Sequence, residues 1–120
     1  MERDDVFRRD CPARMVLDHV TGRWGVLVLT ALREGDLRFS ELRAKVEGVS
    51  EKMLSQTLRT LVRDGLVRRT VEPTVPPRVS YGLTPLGAGI TEPLQALTGW
   101  IKSHAAEIIE AQSTYDASPS

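Results

Sequence analysis

Lys52, Ser55, Gln56 and Arg59 fall at i, i+3, i+4 and i+7 of a helical register, so they share one helix face. All four side chains donate hydrogen bonds, and two carry positive charge. Gln matches an adenine edge and Arg a guanine edge in a DNA major groove, so this stripe has the chemistry to read bases. A solvated surface helix can carry the same residue types. The stripe therefore takes its meaning from the elements that position it.

Those elements are legible around it. Leu54, Leu58, Leu61 and Val62 form an apolar stripe on the opposite face, which predicts an amphipathic helix over about 50–64. Ser50 stands where its N-cap belongs, and Ser40 where that of a preceding short helix belongs. The two helices are joined by Glu47-Gly48-Val49, a connection short enough for a helix-turn-helix. Ser40 and Ser50 are counted with the stripe as candidate DNA contacts.

Residues 66–83 read as a wing. VRRTVE (67–72) and RVSYGL (78–83) are strand candidates, and in the second Val79, Tyr81 and Leu83 alternate with Arg78, Ser80 and Gly82. Pro73-Thr74-Val75-Pro76-Pro77 makes a stiff tip that cannot continue a sheet. A lone hairpin is marginal and must lie against the helices. Arg68, Arg69 and Arg78 then offer guanidinium groups to phosphates, or else protect exposed strand edges. The expected fold is mainly α with a small β-hairpin wing: a winged helix-turn-helix flanked by N- and C-terminal dimerisation helices.

The flanks supply those helices. A short helix is expected from Pro12 to about Val20, with His19 packed on it, and an apolar core helix from about Trp24 to Arg33. Thr84 is a natural N-cap with Pro85 at the first helical position. After it Leu86, Ile90, Leu94, Leu97, Trp100, Ala105, Ile108 and Ile109 recur at helical spacing across about 85–111. Pro93 is expected to kink or split that stretch. Its apolar side needs a cover, most simply a second subunit. Residues 1–111 thus form one domain, with 112–120 expected as a flexible tail.

Arg38-Phe39-Ser40-Glu41-Leu42, Gly48-Val49-Ser50, Leu58, Gly65-Leu66-Val67 and the run Pro76-Pro77-Arg78-Val79-Ser80-Tyr81-Gly82-Leu83-Thr84 resemble the HxlR-type transcriptional regulators of bacteria. Cys11-Pro12, Gly22-Arg23-Trp24, Leu86-Gly87 and Trp100 fit the same pattern. The resemblance covers roughly residues 11 to 102. Thr21, where the family more often has a second small residue, is a departure without functional weight. The resemblance implies a dimer bound to double-stranded DNA, and some members sense oxidants or electrophiles through a cysteine at this motif.

Composition agrees with one domain. The chain has 120 residues, 41% hydrophobic and 27% charged, with one cysteine and zero net charge. That length supports a single core. The charge is unevenly spread: residues 33–78 hold ten Lys/Arg against seven Asp/Glu, net +3, and residues 79–120 hold one against four, net −3. DNA affinity follows local cationic contacts rather than the total. No apolar run approaches the roughly 20 residues of a membrane span, and the charged start does not read as a signal peptide, so the cytoplasm is the expected location.

Isolated His19 and His104 form no metal-ligand cluster, and no phosphate loop appears, so neither enzyme, metal nor cofactor is expected. Gly87 and Gly89 are expected to permit close helix approach. Two routes of control stay open. A small apolar effector could enter near Trp24 and Trp100, which otherwise serve as core and dimer packing. Alternatively, Cys11, at the N-cap before Pro12, could act as a thiolate favoured by the helix N-terminus, or be a small buried capping residue. A winged helix serving only as a protein–protein module is the alternative of a different class.

Overall fold

The computed structural model describes residues 5–118. Six α-helices and one three-stranded antiparallel sheet follow in the order α1 (Pro12–Thr21), α2 (Gly25–Ala31), a 3-10 turn (Leu32–Glu34), β1 (Leu37–Arg38), α3 (Phe39–Lys45), α4 (Glu51–Arg63), β2 (Val67–Glu72), β3 (Arg78–Leu83), α5 (Pro85–Ser103) and α6 (Ala105–Asp116). The expected wing strands form over their expected residues, paired from Val67 with Leu83 to Glu72 with Arg78. β1 has no counterpart in the sequence reading. Its two residues pair Leu37 with Tyr81 and Arg38 with Ser80, giving the sheet order β1-β3-β2.

The apolar stripes meet in one core. Val28 and Leu29 of α2, Leu42 of α3, Leu54, Leu58 and Leu61 of α4, Val67 of β2 and Leu94 of α5 are buried together. α2 is the central helix, as its composition implies, although Leu27 remains exposed on its outer side.

Two glycines fix how the wing leaves α4. Gly65 adopts φ 77°, the left-handed conformation that favours glycine. Its N–H donates to the Val62 carbonyl (3.0 Å) and the N–H of Leu66 to the Leu61 carbonyl (3.0 Å), the Schellman closure that satisfies the last carbonyls of a helix. Gly87 packs against the wing's root: a Cβ there would lie 1.9 Å from the Leu66 carbonyl oxygen. Gly89, expected to act with it, faces open space. Thr84 closes the junction. Its hydroxyl donates to the Gly65 carbonyl (2.6 Å) and accepts from the Gly87 N–H (3.0 Å), so α5 starts on the end of α4.

The C-terminal stretch splits at His104 rather than at Pro93, and helix extends into the expected tail. Pro93 lies within α5 and the helix continues past it; the break comes at His104, whose φ −114° and ψ 12° are not helical. The carbonyl that Pro93 leaves without its usual helical donor belongs to Gly89, on an exposed turn open to water. Helix also continues to Asp116, taking in residues 112–116 of the expected tail, because Gln112 to Asp116 contains neither Gly nor Pro to stop it. Pro119 and Ser120, the end of that expected tail, lie outside the described residues. Among the described residues no helix is long and apolar enough to cross a membrane.

Candidate nucleic-acid interface

α4 carries the central stripe. Ser50 caps it as expected, its Oγ accepting the Met53 N–H at 3.1 Å. Glu51 in the first turn and Arg63 in the last suit the helix dipole. With Leu54, Leu58 and Leu61 anchored in the core, Lys52, Gln56 and Arg59 are exposed and Ser55 is half-buried beside them. Lys52, Gln56 and Arg59 make no ion pair or side-chain hydrogen bond with any described residue. Their donors remain available outward.

α3 starts differently from the sequence reading. Ser40 is its second residue, exposed, and not the N-cap. β1 runs straight into the helix, so the cap falls on Arg38, whose extended backbone (φ −78°, ψ 163°) belongs to the strand. The Arg38 N–H donates to Glu41 Oε1 at 2.8 Å, half of the reciprocal capping arrangement. Across the turn Arg43 and Glu51 approach to 3.7 Å, linking α3 to the start of α4.

The three wing arginines divide. Arg69 and Arg78 are exposed and form no ion pair with a described residue. Arg68 is tied into the fold: its Nη2 lies 2.9 Å from both carboxylate oxygens of Asp36, and its Nη1 donates to the Leu83 carbonyl. Arg68 and Arg69 are successive strand residues and so lie on opposite faces. Gly82, opposite Arg68 in the ladder, makes room for the pair, since a Cβ there would meet Asp36 Oδ1 at 2.1 Å. The Arg68 guanidinium thus has an anionic partner within the fold, which Arg69 and Arg78 lack among the described residues.

The residues expected to govern control lie apart. Trp24 borders a groove of about 420 Å³ with His19, Met53, Gln56 and Thr60, and the Arg23 guanidinium sits 5.3 Å from its ring centroid. Trp100 is 57% exposed on α5, stacked on His104 with centroids 4.1 Å apart and planes at 17°. A separate cavity of 480 Å³ between α2, α3 and α5 is bordered by Leu27, Thr30, Val46 and Gln95, and by neither tryptophan. Cys11 occupies the α1 N-cap with Pro12 at the first helical position, as the sequence implies, and is 1% exposed.

Sequence reasoning missed two residues. Arg63 adds a third cation to the α4–wing cleft beside Arg59 and Arg69; its i+4 spacing from Arg59 was the available signal. Asp36, the anchor of Arg68, lies 32 positions away in sequence and left no local trace.

Comparison with known proteins fits this architecture. The model of the HxlR-like helix-turn-helix family matches residues 19–109. The HTH-type transcriptional regulator YtfH of Escherichia coli (strain K12) is 51% identical over 109 residues, covering 91% of this chain and 86% of that protein. The structure of the transcriptional regulator ytfH from Salmonella typhimurium superposes with TM-score 0.83 at 50% identity, covering 89% and 96% of the two chains. The redox regulator HypR in its oxidized form gives TM-score 0.72 at 33% identity over 78% of this chain and 96% of that one. With the family model spanning its helix-turn-helix, wing and most of its C-terminal helices, this chain belongs to the HxlR-like helix-turn-helix family of transcriptional regulators.

Proposed function

We propose that the chain binds double-stranded DNA as a homodimer in the cytoplasm, with α4 in the major groove and the wing on the flanking backbone. The outward face of α4 carries this reading. Lys52, Gln56 and Arg59 are held by a helix whose other side is core, and no described residue pairs with their side chains. Gln56 and Arg59 read base edges. Lys52, Ser55, Arg69 and Arg78 contact phosphates, with Ser40 and Ser50 at the helix starts beside them.

Dimerisation is supported by what the monomer leaves uncovered. Met15, Val16 and Leu17 on α1, Leu97, Trp100 and Ile101 on α5, and Ile109 and Tyr115 on α6 are exposed, and no residue of α6 is buried. The radius of gyration is 17.5 Å, against about 13.6 Å for a compact chain of this length. A second copy packed on these helices would cover apolar surface that a monomer leaves in water. It would also present two α4 helices, about 34–36 Å apart on an inverted repeat.

Selection from random duplexes, followed by footprinting, tests the reading. The expected result is a two-fold symmetric site with half-sites one helical turn apart. Equal affinity for every duplex would remove the base-reading assignment, and absence of any mobility shift on DNA would favour a protein–protein module.

A further inference from the structure

We propose that the cleft between α4 and the wing is a binding site for a small amphipathic anion, an aromatic carboxylate in class. The cleft has a volume of 590 Å³, within the roughly 300–1,000 Å³ of small-molecule sites. Phe39, Leu58, Val62 and Tyr81 give it an apolar lining drawn from α3, α4 and β3. Arg59, Arg63 and Arg69 line it as well, and no acidic residue does.

The charge pattern selects the occupant. Arg33, Arg43 and Arg68 each have a carboxylate within 4.0 Å, whereas Arg59, Arg63 and Arg69 pair with no described residue. Three arginines lining one apolar cleft bring like charges together, and these repel one another. A carboxylate relieves that repulsion and fits the planar fork of a guanidinium with two parallel hydrogen bonds. A flat ring attached to it would cover the Phe39, Val62 and Tyr81 surface. Inorganic phosphate or acetate supplies the charge without the apolar contact; a neutral aromatic supplies the contact without the charge.

Ser55 and Arg59 belong both to this cleft and to the outward face of α4. Resting on the DNA-binding reading above, ligand and DNA then compete for Arg59, so the occupied form loses operator affinity. Such exclusion is reciprocal.

Isothermal calorimetry of the full-length protein with 2-naphthoate, without DNA, tests the site directly. The expected result is one site per chain, with acetate, inorganic phosphate and 2-naphthalenemethanol each binding at least about ten-fold more weakly. Arg63→Gln, at an exposed position outside the proposed DNA contacts, should weaken 2-naphthoate by about ten-fold or more and lower the melting temperature by no more than a few degrees, the loss of one helix-dipole contact. In a mobility-shift titration 2-naphthoate should release DNA from the wild type but far less from Arg63→Gln. Absence of heat, phosphate binding as tightly as 2-naphthoate, or wild-type affinity in Arg63→Gln would each overturn the site. A protein that binds 2-naphthoate but no duplex would overturn the DNA reading and leave the site standing.

Discussion

His19 Nδ1 lies 2.6 Å from Asp64 Oδ2, joining α1 to the C-cap of α4 across 45 positions of sequence. The Asp64 side chain is 8% exposed, so its carboxylate depends on this partner for much of its satisfaction. Removing one member of such a pair leaves the other poorly solvated. Asp64→Ala should lower unfolding free energy by about 1.5–3 kcal/mol. A double-mutant cycle with His19→Ala should return a coupling of roughly 1 kcal/mol or more, read from denaturant melts. Additive effects would mean that the two side chains do not meet in solution.

Gly87→Ala should be among the most disruptive single-methyl changes in the chain. Its Cβ would sit 1.9 Å from the Leu66 carbonyl oxygen, and backbone atoms cannot swing aside as a side chain can. About 1–3 kcal/mol of destabilisation is expected. Gly89→Ala meets nothing within 4 Å and should instead be neutral or stabilising by up to about 1 kcal/mol, as expected for an exposed helix glycine. Thermal melts of the two variants give the contrast.

The parts of the fold visible in the sequence were those written in local periodicity. The stripe of α4 and the alternation of β3 are repeats over a few residues, and Ser50 and Thr84 are caps with a fixed offset from the N–H they bind. β1 was invisible because two residues, Leu37 and Arg38, cannot display an alternation. The Ser40 cap was misplaced for the same reason: only the strand reveals that α3 begins at Phe39. Within the candidate site, Arg68 could not be separated from Arg69 by residue type. What separates them is Asp36, brought to one face of β2 by tertiary folding.

That separation makes a testable difference among the arginines. Arg59→Ala should cost about 1–3 kcal/mol in specific binding and relax base preference at one position of each half-site. Arg78→Ala should weaken all duplexes alike and reduce the salt slope by about 1. Arg68→Ala should act mainly on the fold, lowering stability by about 0.5–1 kcal/mol because the Asp36 pair is half exposed. Mobility shifts at several salt concentrations, with parallel melts, sort the three effects. A salt slope lowered equally by Arg68→Ala and Arg78→Ala would return Arg68 to the phosphate-binding set.

The exposed apolar residues of α5 carry the dimer reading. Leu97→Glu and Trp100→Glu place a charge where an apolar interface would desolvate it. Sedimentation equilibrium should show a dimer for the wild type and a monomer for the double variant, with helix content retained, since neither residue belongs to the buried core. DNA affinity should fall with the loss of the second recognition helix. A wild type that remains monomeric at tens of micromolar would send the search for a cover elsewhere.

Cys11 tests how control could reach the DNA-binding face. At 1% exposure its sulfur is shielded from solvent, and an oxidant or electrophile must wait for local opening of the segment before α1. Reaction with a small aromatic disulfide should therefore be roughly a hundred-fold or more slower in the native protein than in denaturant, the signature of a local opening of about 3 kcal/mol. Stopped-flow labelling with and without urea measures both rates. Slow labelling together with peroxide-insensitive DNA binding would make Cys11 a buried capping residue. Labelling at the denatured rate would show that the thiol is accessible in solution. Oxidant-sensitive DNA binding lost in Cys11→Ser would then make Cys11 the point of control.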